Sequence, residues 1–289
     1  MIRTFHRHFT SKTHDIVQFK RAQDDNPSIY RITMNDNRTR NCLSSKMVDS
    51  LMYYIENASS LTSDECRVLI INGNPEMNTF CSGHNLKALL AAIETLDEEQ
   101  WQHHFKMCSD LLLCIQSCPL PIICCVHGVV TASGLEIASA ADMTLCTKGT
   151  SFCIPGMNIG VNASKPAVTF SQSLNHKAWR VGLEMLLTGK ETLIDAQTAF
   201  KRGFVNYVAD DYEGMEAKTM DYAQNIASKS KLCVSIGKQT FYDQAACKED
   251  VASAYKLAST VMVDNMLTHD AREGIGAFLE KRAAIWKDQ

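Results

Sequence analysis

The chain has 289 residues, 45% of them hydrophobic and 21% charged, which suits an ordinary globular core and excludes a disordered or fibrous chain. A formal net charge of −3 gives no global attraction to nucleic acid or to an anionic membrane, so an anionic ligand has to be met by a local group of Lys and Arg. No apolar run approaches the ~20 residues that a membrane-spanning helix needs.

Residues 1–14 carry Arg3, Arg7, Lys12 and histidines among Ser and Thr, with no acid before Asp15. That composition fits a mitochondrial transit segment, with the basic terminus of a cytoplasmic protein as the alternative. The segments 16–21 and 28–34 flank Asp24-Asp25-Asn26-Pro27 and read as a hairpin. Met47, Val48, Leu51, Met52 and Ile55 then share one helical face behind Ser44 or Ser45 as N-cap, and 68–72 is a short strand ended by Gly73 and Pro75.

A helix through Trp101, Phe105, Cys108, Leu112 and Ile115 stops at Pro119 and Pro121, and a buried strand over 122–127 ends at Gly128. A helix over 133–141 and strands over 143–147 and 151–154 follow. From about Pro166 the period is helical, apart from a brief strand at 204–208. The pattern predicts an α/β core over 15–212 with a helical region over 213–289.

The twelve cysteines do not read as a disulfide scaffold, which belongs to short secreted chains. Cys124 and Cys125 lie in an apolar strand, and Cys108, Cys114 and Cys118 lie in a helical pattern, where a thiol acts as a small hydrophobe. No Cys-x-x-Cys pair points to a metal, and a reducing compartment is expected.

Two turns draw attention for their chemistry. Phe80-Cys81-Ser82-Gly83-His84-Asn85-Leu86-Lys87 and His127-Gly128-Val129-Val130-Thr131-Ala132-Ser133-Gly134-Leu135-Glu136 both place small residues between a strand and a helix. Such turns leave N–H groups unpaired, able to grip an oxyanion. Glycine-rich turns of this kind are common, so one alone says little, whereas two are more informative.

These residues carry a resemblance. The first turn is similar to F-x-[AS]-G-x-D-[IL]-K and the second to the other glycine-rich turn of the crotonase (enoyl-CoA hydratase/isomerase) superfamily. Arg40-Asn41-Cys42-Leu43-Ser44 resembles its R-N-A-L-S, and 273–282 resembles its terminal E-G-x-x-A-F-x-E-K-R. The likeness spans about 16–288 in the family's order, and the segments 155–160, 235–242 and 262–265 narrow it to one mitochondrial branch.

The resemblance implies an α/β crotonase fold, a spiral of ββα units whose C-terminal helical region closes the CoA pocket and builds a homotrimer or homohexamer. It implies an acyl-CoA thioester of fatty-acid metabolism as ligand, with no cofactor beyond the CoA of that thioester. The backbone N–H groups of His84 and Ser133 would form the oxyanion hole. Glu136 matches the first of two catalytic glutamates, while Gly156 stands where the second would be. A glycine transfers no proton, so hydratase activity is expected to be weak, with a non-catalytic acyl-CoA-binding or regulatory homologue as the alternative.

Arg38 or Arg40, Lys87 and Lys281 are expected to meet the CoA phosphates, and the carbonyls of Ser82 and His84 the adenine. His84 and His127 are candidate proton donors in place of the missing carboxylate, beside a structural reading of each. Asn85 replaces the family's Asp, which weakens the expected capping role there. The mitochondrial matrix is the expected location, with the cytoplasm as the alternative.

Overall fold

The hairpin expected at the start is formed by β1 (Val17–Arg21) and β2 (Ile29–Met34), antiparallel with Val17 opposite Met34. The computed structural model describes residues 15–23, 28–62, 64–162, 165, 168, 176–247 and 250–289. The transit-segment reading of 1–14 and the turn at 24–27 lie outside these residues.

Beyond β2 the sheet is parallel. It runs through β3 (Val68–Gly73), β5 (Ile122–Val126), β7 (Met143–Thr147) and β10 (Tyr207–Ala209) in the order β1-β2-β3-β5-β7-β10. β3 and β5 are buried along their whole length because both faces are covered, which is why they read as unbroken apolar runs. On one face lie α1 (Ser45–Ser60), capped by Ser44, and α3 (Glu98–Ser117), capped by Asp97. On the other, Met215, Met220 and Ala223 of α7 (Tyr212–Ala227) pack against Val68, Ile70, Ile123, Cys125 and Leu145. All twelve cysteines are unpaired thiols, most of them in this core.

A second sheet holds β4 (Thr79–Cys81), β6 (Val129–Thr131) and β8 (Ser151–Cys153), mutually parallel, with β9 (Ile194–Asp195) antiparallel at its edge. The chain therefore alternates between the sheets, β3 to β4, β5 to β6, β7 to β8. Each β4-type strand feeds a helix or turn: α2 (Leu86–Ile93), α4 (Ser133–Ala140) or the 3-10 turn Pro155–Ile159. The strands of this sheet are too short to show a period of two, and no pattern in the residues marks β4, β6 or β9 separately. The strand expected at 204–208 sits at β10 instead, because Gly203 and Phe204 close α6 (Ala196–Arg202) by donating back to Ala199.

After α5 (His176–Thr188), α6 and α7, the helices α8 (Lys231–Ala246) and α9 (Val251–Met266) pack on each other without burying a residue, and α10 (His269–Glu280) ends the helical region. α8 is tied to the core by Lys238, whose Nζ donates to the carbonyls of Ile115 (3.2 Å) and Leu120 (3.0 Å) and pairs with Asp142 at 2.7 Å. Tyr242 donates to the same carboxylate at 3.0 Å. The chain end returns to Arg67, which pairs with Asp288 at 2.8 Å. No helix among the described residues is long and apolar enough to cross a membrane.

Candidate active site

Parallel pairing brings three turns to one edge of the second sheet. Cys81 is opposite Val130 and Thr131 is opposite Cys153, so the chain leaves β4, β6 and β8 side by side at 82–84, 132–133 and 154–156.

The first turn is clamped from behind. Ser82 N–H donates to the Arg40 carbonyl (3.1 Å), Ser82 Oγ donates to the Thr39 carbonyl (3.0 Å), and Leu43 N–H donates to the Gly83 carbonyl (2.8 Å). Gly83 has φ +82°, and a Cβ there would lie 2.7 Å from the Ala132 Cβ and 3.6 Å from Ser133 N. The two turns are therefore in van der Waals contact. Gly134 is held just as closely, since a Cβ would meet the Cys81 carbonyl oxygen at 2.8 Å.

Ala132 takes φ 48° and ψ −119°, a conformation that glycine adopts without strain and alanine does not. It turns the chain so that Ser133 begins α4 with its N–H facing outward, as the first donors of any helix do. The positive φ falls on Ala132, and Ser133 itself has none. Among the described residues neither the His84 N–H nor the Ser133 N–H donates to a protein acceptor. Two free donors stand on adjoining turns.

Glu136, one helical turn from Ser133, is 2% exposed. Burial pushes its carboxyl up to about 7, opposed by the charge of Lys165 and by the Ser133 side chain. Its Oε2 has no hydrogen-bond partner among the described residues. Gly156 is buried in its 3-10 turn and contributes no side chain.

The His84 ring lies edge-on to Phe105, with centroids 6.0 Å apart, and 5.6 Å from the ring of His104. Burial, then the neighbouring His104 and Lys165, push its imidazole down to about 4. His104 is lowered as well, by burial and by Lys165. Lys165 donates to the Phe105 carbonyl and holds Nζ 5.3 Å from the centre of the Phe105 ring. Sequence reasoning singled out His84 but missed His104 and Lys165 beside it. Trp101 and Phe105 stood in a helical stripe that looked like core, and nothing in the pattern around Lys165 distinguished it from a surface cation.

The remaining candidates separate. His127 bonds through Nε2 to the Met77 carbonyl at 2.7 Å and stands edge-on to Tyr212, which makes it a structural histidine. Asn85 keeps the capping role after all, accepting from the N–H groups of Lys87 (3.1 Å) and Ala88 (3.2 Å) at the start of α2, since an amide oxygen caps as well as a carboxylate. Lys87 is exposed in the first turn of that helix, and Arg38 is exposed on the loop behind the first turn. Arg40 lines a cleft of about 430 Å3 with Asn37, Met77, Asn78, Thr79 and Val129, at the beginnings rather than the ends of β4 and β6. Lys281 is the left-handed residue that ends α10.

The enoyl-CoA hydratase/isomerase family profile matches residues 24–289. Mouse enoyl-CoA hydratase domain-containing protein 3, mitochondrial, is 38% identical over 269 residues, covering 92% of this chain and 83% of the mouse protein. The human protein of that name is 36% identical, covering 90% and 81%. Its crystal structure superposes with a TM-score of 0.81 at 35% identity over 94% of this chain and all of that one, and a Mycobacterium smegmatis enoyl-CoA hydratase superposes with a TM-score of 0.83 at 29% identity over 94% and 99%. The branch that the segments 155–160, 235–242 and 262–265 pointed to is the one these mammalian relatives represent. With both sheets, both glycine turns and the profile in agreement over nearly the whole chain, this protein belongs to the enoyl-CoA hydratase/isomerase family and has the crotonase fold.

Proposed function

We propose that this protein binds acyl-CoA thioesters and hydrates trans-2-enoyl thioesters slowly, with the N–H groups of His84 and Ser133 as its oxyanion hole and Glu136 as its one proton-transferring carboxylate. The observation that carries the reading is the pair of unpartnered N–H groups on touching turns, with a buried carboxylate one helical turn away. Donors aimed at the developing enolate oxygen are worth about 3–4 kcal/mol each in other enzymes.

In the step envisaged, Glu136 takes a proton from water as the water oxygen bonds to the β-carbon. The π electrons move onto the thioester oxygen between the two donors. The enolate then collapses, and its α-carbon takes the proton held by Glu136. With Gly156 in place of a second carboxylate, the rate should fall on the order of 10²–10⁴ below that of a two-glutamate hydratase.

A non-catalytic acyl-CoA-binding role is the second reading, favoured by the same buried glycine. A crotonyl-CoA hydration assay run beside a CoA-ester binding titration separates the two: turnover that vanishes in Glu136→Gln supports the enzyme, and binding with no turnover supports the second reading. Crotonate bound as tightly as crotonyl-CoA would sink both.

The exposed apolar residues of the helical region, among them Met262, Val263, Met266, Phe278 and Leu279, support a homotrimer or homohexamer, because a monomer would leave them in water. Light scattering tests this. The basic, acid-free residues 1–14 and the mitochondrial names of the relatives support the mitochondrial matrix and a place in fatty-acid metabolism. Imaging of the full-length chain tests the location.

A further inference from the structure

Buried polar atoms normally find a partner or a water. Among the described residues, His84 Nδ1, His104 Nε2 and Glu136 Oε2 are buried with none. The two histidine rings are 5.6 Å apart, centre to centre. Burial and, in lesser part, the charge of Glu136 push up the thiol of Cys108, one turn along α3 from His104, and α3 packs against α4. The charge of Lys165 reaches both histidines and Glu136. The three unsatisfied polar atoms lie on elements that meet: His84 follows the Gly83 turn that touches Ala132, and His104 on α3 and Glu136 on α4 belong to helices packed on each other.

We propose that the imidazoles of His84 and His104 hold the water that Glu136 activates, taking over the duty of orienting it that a second carboxylate would perform. This rests on the hydration reading given above. His84 then has two parts in the site: its main-chain N–H faces the thioester oxygen and its ring faces the water. His104 is a positioning residue that fixes the water from the far side.

The relative basicities suit this division. His84 is held near 4 and Glu136 near 7, so the carboxylate takes the proton and the neutral imidazole only donates or accepts a hydrogen bond. One carboxylate then suffices for balance. The proton that leaves water for Glu136 is the one returned to the α-carbon, and no outside donor is needed.

The test uses the full chain, crotonyl-CoA kinetics and 15N NMR of labelled histidine. His104→Phe keeps a ring beside Trp101 and Phe105 but removes the nitrogen, whereas His104→Gln keeps a polar atom near the place of Nε2. Expected are a fall in kcat on the order of 10–10²-fold for His104→Phe with KM changed less than about twofold, and recovery of most of that loss in His104→Gln. Unaltered kcat in His104→Phe overturns the proposal. So does an equal loss in both variants accompanied by a raised KM or a lowered melting temperature, which marks a packing role.

Acetoacetyl-CoA, whose β-oxygen lies where the water oxygen would, should shift the ring nitrogens of His84 and His104, while free CoA should not. Unmoved nitrogens overturn the water site even in an active enzyme. A wild type that never hydrates crotonyl-CoA overturns the hydration reading instead, and the NMR response alone then decides whether the histidines hold a water.

Discussion

Gly83 and Ala132 meet so closely that only one of them can carry a methyl group: a Cβ added to Gly83 would lie 2.7 Å from that of Ala132. The contact joins the two turns whose N–H groups stand free. Gly83→Ala should therefore force the turns apart as well as strain a backbone at φ +82°. We expect a loss of about 2 kcal/mol or more in urea unfolding, together with weaker CoA-ester binding. A variant as stable as wild type, with unchanged binding, would show that the turns yield freely.

Ala132→Gly works in the other direction. It removes the methyl and relieves the positive φ of 48°, so stability should hold or rise by up to about 1 kcal/mol despite the greater freedom of glycine in the unfolded chain. Urea unfolding measures it. The double variant Gly83→Ala with Ala132→Gly should recover part of what Gly83→Ala loses, since the clash then has only one methyl in it.

Glu136 sets the pH dependence. As the base it has to be ionised, so hydration should rise with pH through about 7 and level off above. Glu136→Gln should flatten that limb, lower kcat on the order of 10²–10⁴, and leave CoA-ester affinity nearly unchanged. Stability follows the opposite course. A carboxyl raised from its ordinary 4.5 to about 7 favours the fold fully below about 4.5, and that contribution is lost as pH climbs through 7, by at most about 3 kcal/mol. Wild type should therefore lose stability relative to Glu136→Gln between pH 4.5 and 8. A constant difference across that range would mean that the group titrates normally.

Gly156→Glu should raise hydration by one to several orders of magnitude, on the order of the 10²–10⁴ that one placed carboxylate supplies. The backbone permits it, because Gly156 is not among the residues with positive φ. A folded variant no faster than wild type would show that the turn directs its side chain elsewhere.

Lys238→Met should loosen the helical region. It leaves Asp142, only 15% exposed in its side chain, with the Tyr242 hydroxyl and the Ile122 N–H but no cation, at a cost of about 3 kcal/mol. Hydrogen exchange should speed up first in α8. Uniform exchange throughout the molecule would locate the loss elsewhere.

How much of this the sequence disclosed depended on length. β3 and β5 were plain because five or six buried residues in a row leave a strong apolar signature, and α1 and α3 because several turns repeat one face. Three-residue strands such as β4 and β6 have no period to detect, yet they carry the turns of the site. His84, Ser133 and Glu136 were identified through the resemblance, since a main-chain donor has no residue type of its own. His104 and Lys165 were invisible: the partner that sets each apart is distant in the chain, His84 for the one and Phe105 for the other, and neither belongs to a motif.

The oxyanion donors are amides, which every residue except proline possesses. For polarising the carbonyl, only the path of the backbone at 84 and 133 counts, and any work of the two side chains is separate from it. The neighbouring Gly83 and Gly134 have no such latitude, because their hydrogens face Ala132 and Cys81 at contact distance. In a saturation-mutagenesis map read by CoA-ester binding, Gly83 and Gly134 should thus be less tolerant than His84, whose ring enters only the handling of the water. A lineage can accordingly exchange the proton-handling side chains around the thioester, and with them the reaction, while the device that polarises the carbonyl is inherited intact.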